Sequence, residues 1–383
     1  MSHLPEPSVE ALAVSRTLCR RIAQTIGDAG GWIPFPHYME MALYSPGCGY
    51  YAAGSHKLGS AGDFTTAPEM TPLFGRTLAR QVAQLLPETA GTIYEFGAGS
   101  GILAADMLEA LDAAGSLPER YAIIDLSADL IERQKATLAR RVPHLADRIQ
   151  WLDALPDRLD GIVIGNEVLD AMPCELIRHE GTWRRRGATV KDGALAFEDR
   201  PIDDAGLAER AARLVPPLPG YTTEISLANL AFIRTLADRL ERGALLFVDY
   251  GFPESEYYHP QRHMGTLIGH YRHHTVDDPF FLPGLMDLTC HVDFTAIALA
   301  GTEAGLDLIG YTTQAHFLVN AGITEELQAL DPNDPARYLP HSVAVQRLVS
   351  PAEMGELFKV IGFGRKIGFD WIGFASGDRC HML

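Results

Sequence analysis

Paired cysteines, thiolate zinc motifs, long apolar runs and excess positive charge are all missing from this sequence. Its five cysteines, Cys19, Cys48, Cys174, Cys290 and Cys380, are scattered, odd in number and free of any C-x-x-C pair. That spacing supports neither a disulfide framework nor a thiolate zinc site. Apolar runs all stop short of the roughly 18 residues that a bilayer span requires, so no membrane span is expected. The start, M-S-H-L-P-E-P-S, has neither the apolar block of a signal peptide nor the arginines of a transit peptide. The expected compartment is therefore the cytoplasm. Basic residues are in deficit, with 32 Lys and Arg against 49 Asp and Glu and a net charge of −17. Such a balance argues against a general nucleic-acid binder and is compatible with a basic substrate. Repeats and low-complexity tracts are absent too, and hydrophobic content of 47% with 21% charged residues is ordinary for a folded protein.

What is present centres on residues 92–114. The β-type run T-I-Y-E-F leads into G-A-G-S-G, and the helix-compatible I-L-A-A-D-M-L-E-A-L follows at once. This reads as a strand, a tight turn and a helix N-terminus. Gly97, Gly99 and Gly101 let the backbone turn sharply and approach a ligand, while the helix start offers unpaired N–H groups. The dinucleotide fingerprint G-x-G-x-x-G fails because position 102 is Ile102. The spacing G-x-G-x-G with Glu95 two residues ahead is the pattern of S-adenosylmethionine (SAM) sites, in which the acid can accept from the cofactor's ammonium group. An ordinary βα turn can look the same, so other residues have to carry the reading.

Several do. Y-A-I-I-D-L-S (121–127) is a second strand closed by Asp125, a carboxylate placed to accept from ribose hydroxyls. A helix at 128–141 and a third strand, R-I-Q-W-L (148–152), follow, with Trp151 where such folds hold the adenine. The fourth strand, within 160–173, runs into N-E-V-L-D-A-M-P, so Asn166, Glu167 and Asp170 fall outside a carboxyl end of the sheet, where ligands bind in open α/β folds. The competing reading is that Glu167 and Asp170 cap a short helix. Strands are also expected at 244–251, closed by Asp249, and at 307–314 and 358–364, the last two separated by helices around 315–329 and 351–357.

Outside this series, residues 8–26 read as a helix with Val14, Leu18, Ile22 and Ile26 on one face. Residues 32–75 interleave aromatics, prolines and glycines. They suit a loop-rich layer, either a lid or an arm packed on the core, better than helix or sheet. Within them Gly62, Asp63, Thr65, Thr66 and Glu69 could aim several hydrogen-bonding groups at a ligand. Residues 175–200 read as a hairpin or meander carrying Arg184, Arg185 and Arg186. The stretch 252–292 holds six of the fourteen histidines, unevenly spaced and without H-E-x-x-H, so imidazoles bonded to loop backbone or substrate are expected in place of a metal site.

The strings F-P-H-Y-M-E-M-A-L-Y-S-P-G-C-G-Y-Y, G-D-F-T-T-A-P-E, E-F-G-A-G-S-G, N-E-V-L-D-A-M-P, V-D-Y-G and D-L-T-C-H-V-D-F occur in order. Together, over about residues 32–363, they resemble the MidA-like SAM-dependent methyltransferases. Mitochondrial members of that family help assemble respiratory complex I and methylate an arginine of one of its subunits. The resemblance implies a Rossmann-like α/β fold with a seven-stranded class I methyltransferase sheet, SAM as cofactor and a protein substrate with an arginine acceptor. Position 125 departs from the family's expected glutamate but keeps the carboxylate. The missing mitochondrial presequence suggests a bacterial homologue. On this reading residues 1–90 form a helical and loop lid region and residues 91–383 the methyltransferase core, with insertions at about 175–220 and 252–292. Glu95, Gly97, Gly99, Gly101, Asp125, Trp151, Asp63 and Thr65 would hold the cofactor; Glu167, Asp170 and Asn166 would orient the acceptor. Two rivals stand beside it: a small-molecule N-methyltransferase, and a SAM-binding assembly factor without catalysis.

Overall fold

The computed structural model describes residues 4–52 and 66–383, and the chain divides into two compact units. One comprises Met1–Phe64, Asp170–Leu230 and Pro253–Asp293; the other comprises Thr65–Leu169, Ala231–Phe252 and Phe294–Leu383. The expected insertions at 175–220 and 252–292 thus fall almost wholly in the first unit, and residues 65–90, read above with the lid region, fall in the second.

The second unit is built on a mostly parallel sheet. Its strands are β1 (Thr92–Phe96), β2 (Arg120–Ile124), β3 (Ile149–Leu152), β4 (Leu159–Asn166), β5 (Leu240–Phe252), β6 (Asp307–Thr313) and β7 (Phe358–Arg365). They lie in the order β6-β7-β5-β4-β1-β2-β3, with β7 antiparallel to both its neighbours and all other pairs parallel. Seven is the number of strands on this path and not a count of the whole sheet. The central strands read G-I-V-I-G and A-L-L-F-V because strands covered on both faces need apolar side chains on both. At the far end of β5, Gly243 takes φ 132°, and a Cβ there would lie 1.8 Å from the Gly161 carbonyl oxygen. Only glycine allows that approach, where the β4–β5 register shifts between Leu240 and Arg242. Helices Pro72–Leu85 and Ile102–Ala113 bury Leu73, Phe74, Leu78, Val82, Leu103, Met107 and Leu108 in one core with Ile93, Ile162 and Leu246 of the sheet.

The order of strands matters for the site. From β1 the chain moves one way to β2 and β3, then returns to β4 and continues the other way, so the topological switch falls between β1 and β4. The glycine turn after β1 and the Asn166–Glu167 step after β4 flank it.

The first unit holds the helix Val9–Asp28, whose Ser8 cap accepts from the Ala11 N–H and whose Leu18, Ile22 and Ile26 are buried as expected. Its five-stranded antiparallel sheet contains Glu175–His179, Trp183–Lys191 and Ala194–Pro201, the meander read from the sequence, together with Ile33–Pro34 and Thr222–Ile225. Arg185 and Arg186 are both ion-paired there. Arg185 makes a two-pronged pair with Glu175, and Arg186 another with Asp199.

Two expectations need correction. Residues 32–75 are not loop-rich throughout: Phe35–Tyr44 is a helix, burying Phe35, Tyr38, Met39, Ala42 and Leu43. Those five recur at helical spacing, and Pro34 and Pro36 occupy the cap and first turn, where a missing N–H costs nothing. The prolines that suggested a loop are helix-start signals. Between β6 and β7 the sequence also hides a helix, Pro335–Val349, which begins at an Asp334 cap with Pro335 in its first turn. Gly322, at φ 96°, splits the expected helix around 315–329 into Gln314–Ala321 and Ile323–Gln328.

Candidate active site

The turn after β1 has the conformation that its glycines imply. Gly97, Gly99 and Gly101 all have positive φ, at 61°, 55° and 80°. The Gly97 N–H donates to the Ile124 carbonyl at 3.0 Å, which ties the turn to the end of β2. Gly101 stands at the head of helix Ile102–Ala113. Ser100 within the turn donates to Glu69 of the short helix Ala67–Met70 at 2.5 Å. Asp63 and Thr65, expected to help hold the cofactor, lie outside the described residues.

Asp125 follows β2 directly. One of its carboxylate oxygens accepts from the Ser127 N–H at 2.9 Å and the other from the Gln134 amide at 2.7 Å. Ser127 in turn caps helix Ala128–Arg141. Beside the acid, Leu126 is 83% exposed, an apolar side chain standing in water. Trp151, on β3, gives its indole N–H to Gln134. Gln134 had no motif to mark it. The signal it did leave is a polar residue in the buried stripe Leu130, Gln134, Thr137 and Leu138 of its helix.

Glu95 is enclosed on β1, 2% exposed, and accepts from the Tyr121 hydroxyl at 2.9 Å. Burial pushes its carboxyl up to about 8, and the charge of Asp125 adds to the rise, whereas the Tyr121 bond opposes it. Burial also raises Asp125, against its bonds to Ser127 and Gln134. A positive charge placed beside either carboxyl would favour its ionised form and oppose the rise that burial causes.

The Glu95 value makes a prediction about stability. The folded carboxyl releases its proton near pH 8 and the ordinary carboxyl near 4.5, so between these the folded chain holds more proton than the unfolded one. Stability from this group is therefore full below about pH 4.5 and falls as pH rises towards 8. Glu95→Gln cannot ionise and should flatten that loss. Melting temperatures across the window should show variant and wild type diverging as pH rises; a constant gap would contradict the raised carboxyl.

After β4, the loop carrying Asn166 and Glu167 is held by Asp249 of β5. The fully buried Asp249 carboxylate accepts from the Val168 N–H at 3.1 Å, the Leu169 N–H at 2.9 Å and the Tyr250 N–H at 2.9 Å. Glu167 donates its own N–H to the Val248 carbonyl at 2.8 Å. It has φ 54°, in the left-handed region that a residue with a Cβ enters at a cost. Asn166 donates its amide to a Glu167 carboxylate oxygen at 3.1 Å. Residues 166–173 form no helix, so Glu167 and Asp170 are not helix caps.

Asp170 belongs to the first unit and is 5% exposed. Its carbonyl accepts from the Cys290 N–H at 3.0 Å, and its charge adds to the rise of the Tyr51 hydroxyl, which burial drives well above the ordinary phenol range. Tyr51 donates to Asp287. Among the described residues, no three His, Cys, Asp or Glu side chains gather as a metal would require. His259 and His274 bond to nearby loop backbone.

A parallel sheet in the order β3-β2-β1-β4-β5, an antiparallel β7 between β5 and β6, a glycine turn after β1 and an acid after β2 together define a nucleoside-cofactor methyltransferase fold. Over residues 73–312 the chain matches the family model of S-adenosyl-L-methionine-dependent methyltransferases. It belongs to that family, and SAM is its cofactor. A crystal structure of a superfamily member from Burkholderia thailandensis bound to S-adenosyl-homocysteine is 52% identical, covers 100% of both chains and superposes with a TM-score of 0.96. The mitochondrial protein arginine methyltransferase NDUFAF7 of Danio rerio is 26% identical over 92% of this chain and 88% of its own length. The Homo sapiens protein of the same name is 26% identical over 86% and 79%.

Proposed function

We propose that the chain is a protein-arginine N-methyltransferase, acting on a respiratory complex I subunit or its analogue. The observation that carries this reading is Glu167, kept in a left-handed backbone conformation at the carboxyl edge of the sheet, with Asn166 bonded to its carboxylate. Strain of this kind persists only where surrounding bonds impose it, and Asp249 supplies them. The name of the Danio rerio relative supports the choice of arginine.

When bound, SAM supplies a methyl group on a sulfonium, open to in-line attack. The chain's part is to align the acceptor nitrogen and to take up the proton it loses. A guanidinium is protonated at all ordinary pH values and is a poor nucleophile. In this proposal the Glu167 carboxylate accepts from its N–H groups, draws the positive charge towards the nitrogens it holds, and leaves the remaining nitrogen better able to attack. Asn166 fixes the plane of that carboxylate. Asp170 is the second acid of the proposal on its sequence position alone. Gly97, Gly99, Gly101, Glu95, Asp125 and Trp151 are proposed to hold the cofactor. Five free cysteines support a reducing compartment, and we propose the cytoplasm; among the described residues no helix is long and apolar enough to cross a membrane.

The test is to incubate the purified protein with methyl-labelled SAM and cell extract, and to hydrolyse the labelled products. Label in methylarginine of a protein is the expected result. Label in a small molecule would make it another N-methyltransferase, and binding without any label a non-catalytic assembly factor.

A further inference from the structure

We infer that Gln134 is a positioning residue of the cofactor site, one buried amide that locks the glycine turn, the Asp125 carboxylate and Trp151 into a single surface. Its side chain is fully buried. Its amide nitrogen donates to the Gly99 carbonyl at 3.2 Å and to Asp125 Oδ2 at 2.7 Å, and its amide oxygen accepts from Trp151 Nε1 at 3.0 Å.

These partners permit only one orientation. An indole N–H can only donate, whereas a carbonyl and a carboxylate can only accept, so the amide oxygen has to face Trp151 and the NH₂ has to face the other two. Both amide hydrogens are thereby used, and Gln134 acts through the groups it holds. The closeness of its helix is equally specific. A Cβ on Gly101 would lie 2.9 Å from the Gln134 Cα, so the third glycine of the turn is also the space into which this helix packs. With Ser127 holding the other oxygen of Asp125, the carboxylate is fixed from two sides. The turn, the acid and the tryptophan lie after β1, after β2 and on β3, and Gln134 is bonded to all three. It sets the spacing between the part of the site that takes the amino-acid portion of the ligand and the part that takes the nucleoside.

The inference is tested by calorimetric titration of the full chain with S-adenosyl-homocysteine over a pH series, with melting curves recorded alongside. Gln134→Met keeps the length and apolar bulk of the side chain and loses all three bonds; its affinity should fall roughly ten- to a hundred-fold. Gln134→Glu turns an oxygen towards the Asp125 carboxylate and the Gly99 carbonyl. Ionised, it repels both; protonated, it can donate to one of them. Its affinity relative to wild type should therefore recover as pH falls, a signature that loss of packing alone does not produce.

A Met variant that binds within about two-fold of wild type would overturn the inference, as would a Glu variant whose relative affinity is independent of pH. Should the Met variant fail to fold, Trp151→Phe removes one of the three bonds, and with the Glu variant it decides the matter. Phe at 151 is expected to weaken binding by less than Met at 134, and wild-type affinity in it would also count against the inference. None of these measurements involves the methyl acceptor, so the outcome is separate from the arginine proposal.

Discussion

Replacing Glu167 with glutamine is expected to leave S-adenosyl-homocysteine binding within a few-fold of wild type while methyl transfer falls by about 10²–10⁴. Glutamine has nearly the same shape, can still take the Asn166 bond through its amide oxygen, and leaves the Asp249 bonds to the loop backbone untouched. What it loses is the negative charge that orients a guanidinium and the basicity that receives its proton. Calorimetry for binding and labelled-methyl transfer for turnover separate the two. If both fall together, Glu167 belongs to the cofactor site or to the fold, and the proposed role fails. Glu167→Gly gives an independent control. A left-handed φ costs a residue with a Cβ roughly 1–2 kcal/mol, and glycine in turn loses more entropy on folding. The variant should therefore melt within a few degrees of wild type and still be inactive.

The largest structural effect is expected from Gly101→Ala. The new methyl would meet the Gln134 backbone at 2.9 Å, and the residue would have to keep φ 80° at the head of a helix. The conformational cost is about 1–2 kcal/mol, and overpacking against backbone adds about 1–3 kcal/mol. Relief requires the helix carrying Gln134 to move away from the turn, which breaks the link between Gly99 and Asp125. Melting temperature should drop by several degrees, and S-adenosyl-homocysteine binding should be lost or weakened beyond what the stability change accounts for. A variant that melts and binds like wild type would show that the turn tolerates a side chain and that the close packing seen here is unnecessary.

How far the site was legible before folding depends on how local its causes are. The glycine turn, Asp125 and the Asn166–Glu167 step are legible because each is a change to glycine or to a polar residue at a strand end, and a strand end declares itself over a few neighbours. Gln134 could not, since what distinguishes it from any other helical glutamine is three partners drawn from positions 99, 125 and 151. Asp249 was visible as an acid closing a strand, but its three backbone partners place it under Glu167 only once β4 and β5 are paired. The helix Phe35–Tyr44 is harder to read from sequence, because Pro34 and Pro36 look like breakers until their place at the cap and in the first turn makes them starters.

By itself the sequence determined the alternation of strands and helices, the glycine turn, the acids at the strand ends and, through the order of its motifs, the methyltransferase family. Those properties rest on backbone geometry and on residue types acting within one or two elements. Tertiary structure alone decided that Glu167 is held in a left-handed conformation, that burial pushes the Glu95 carboxyl up to about 8, and that Gln134 joins three separate segments. Each of these arises from contacts between residues far apart in the chain, where burial and paired partners change the energy of a group without changing its identity.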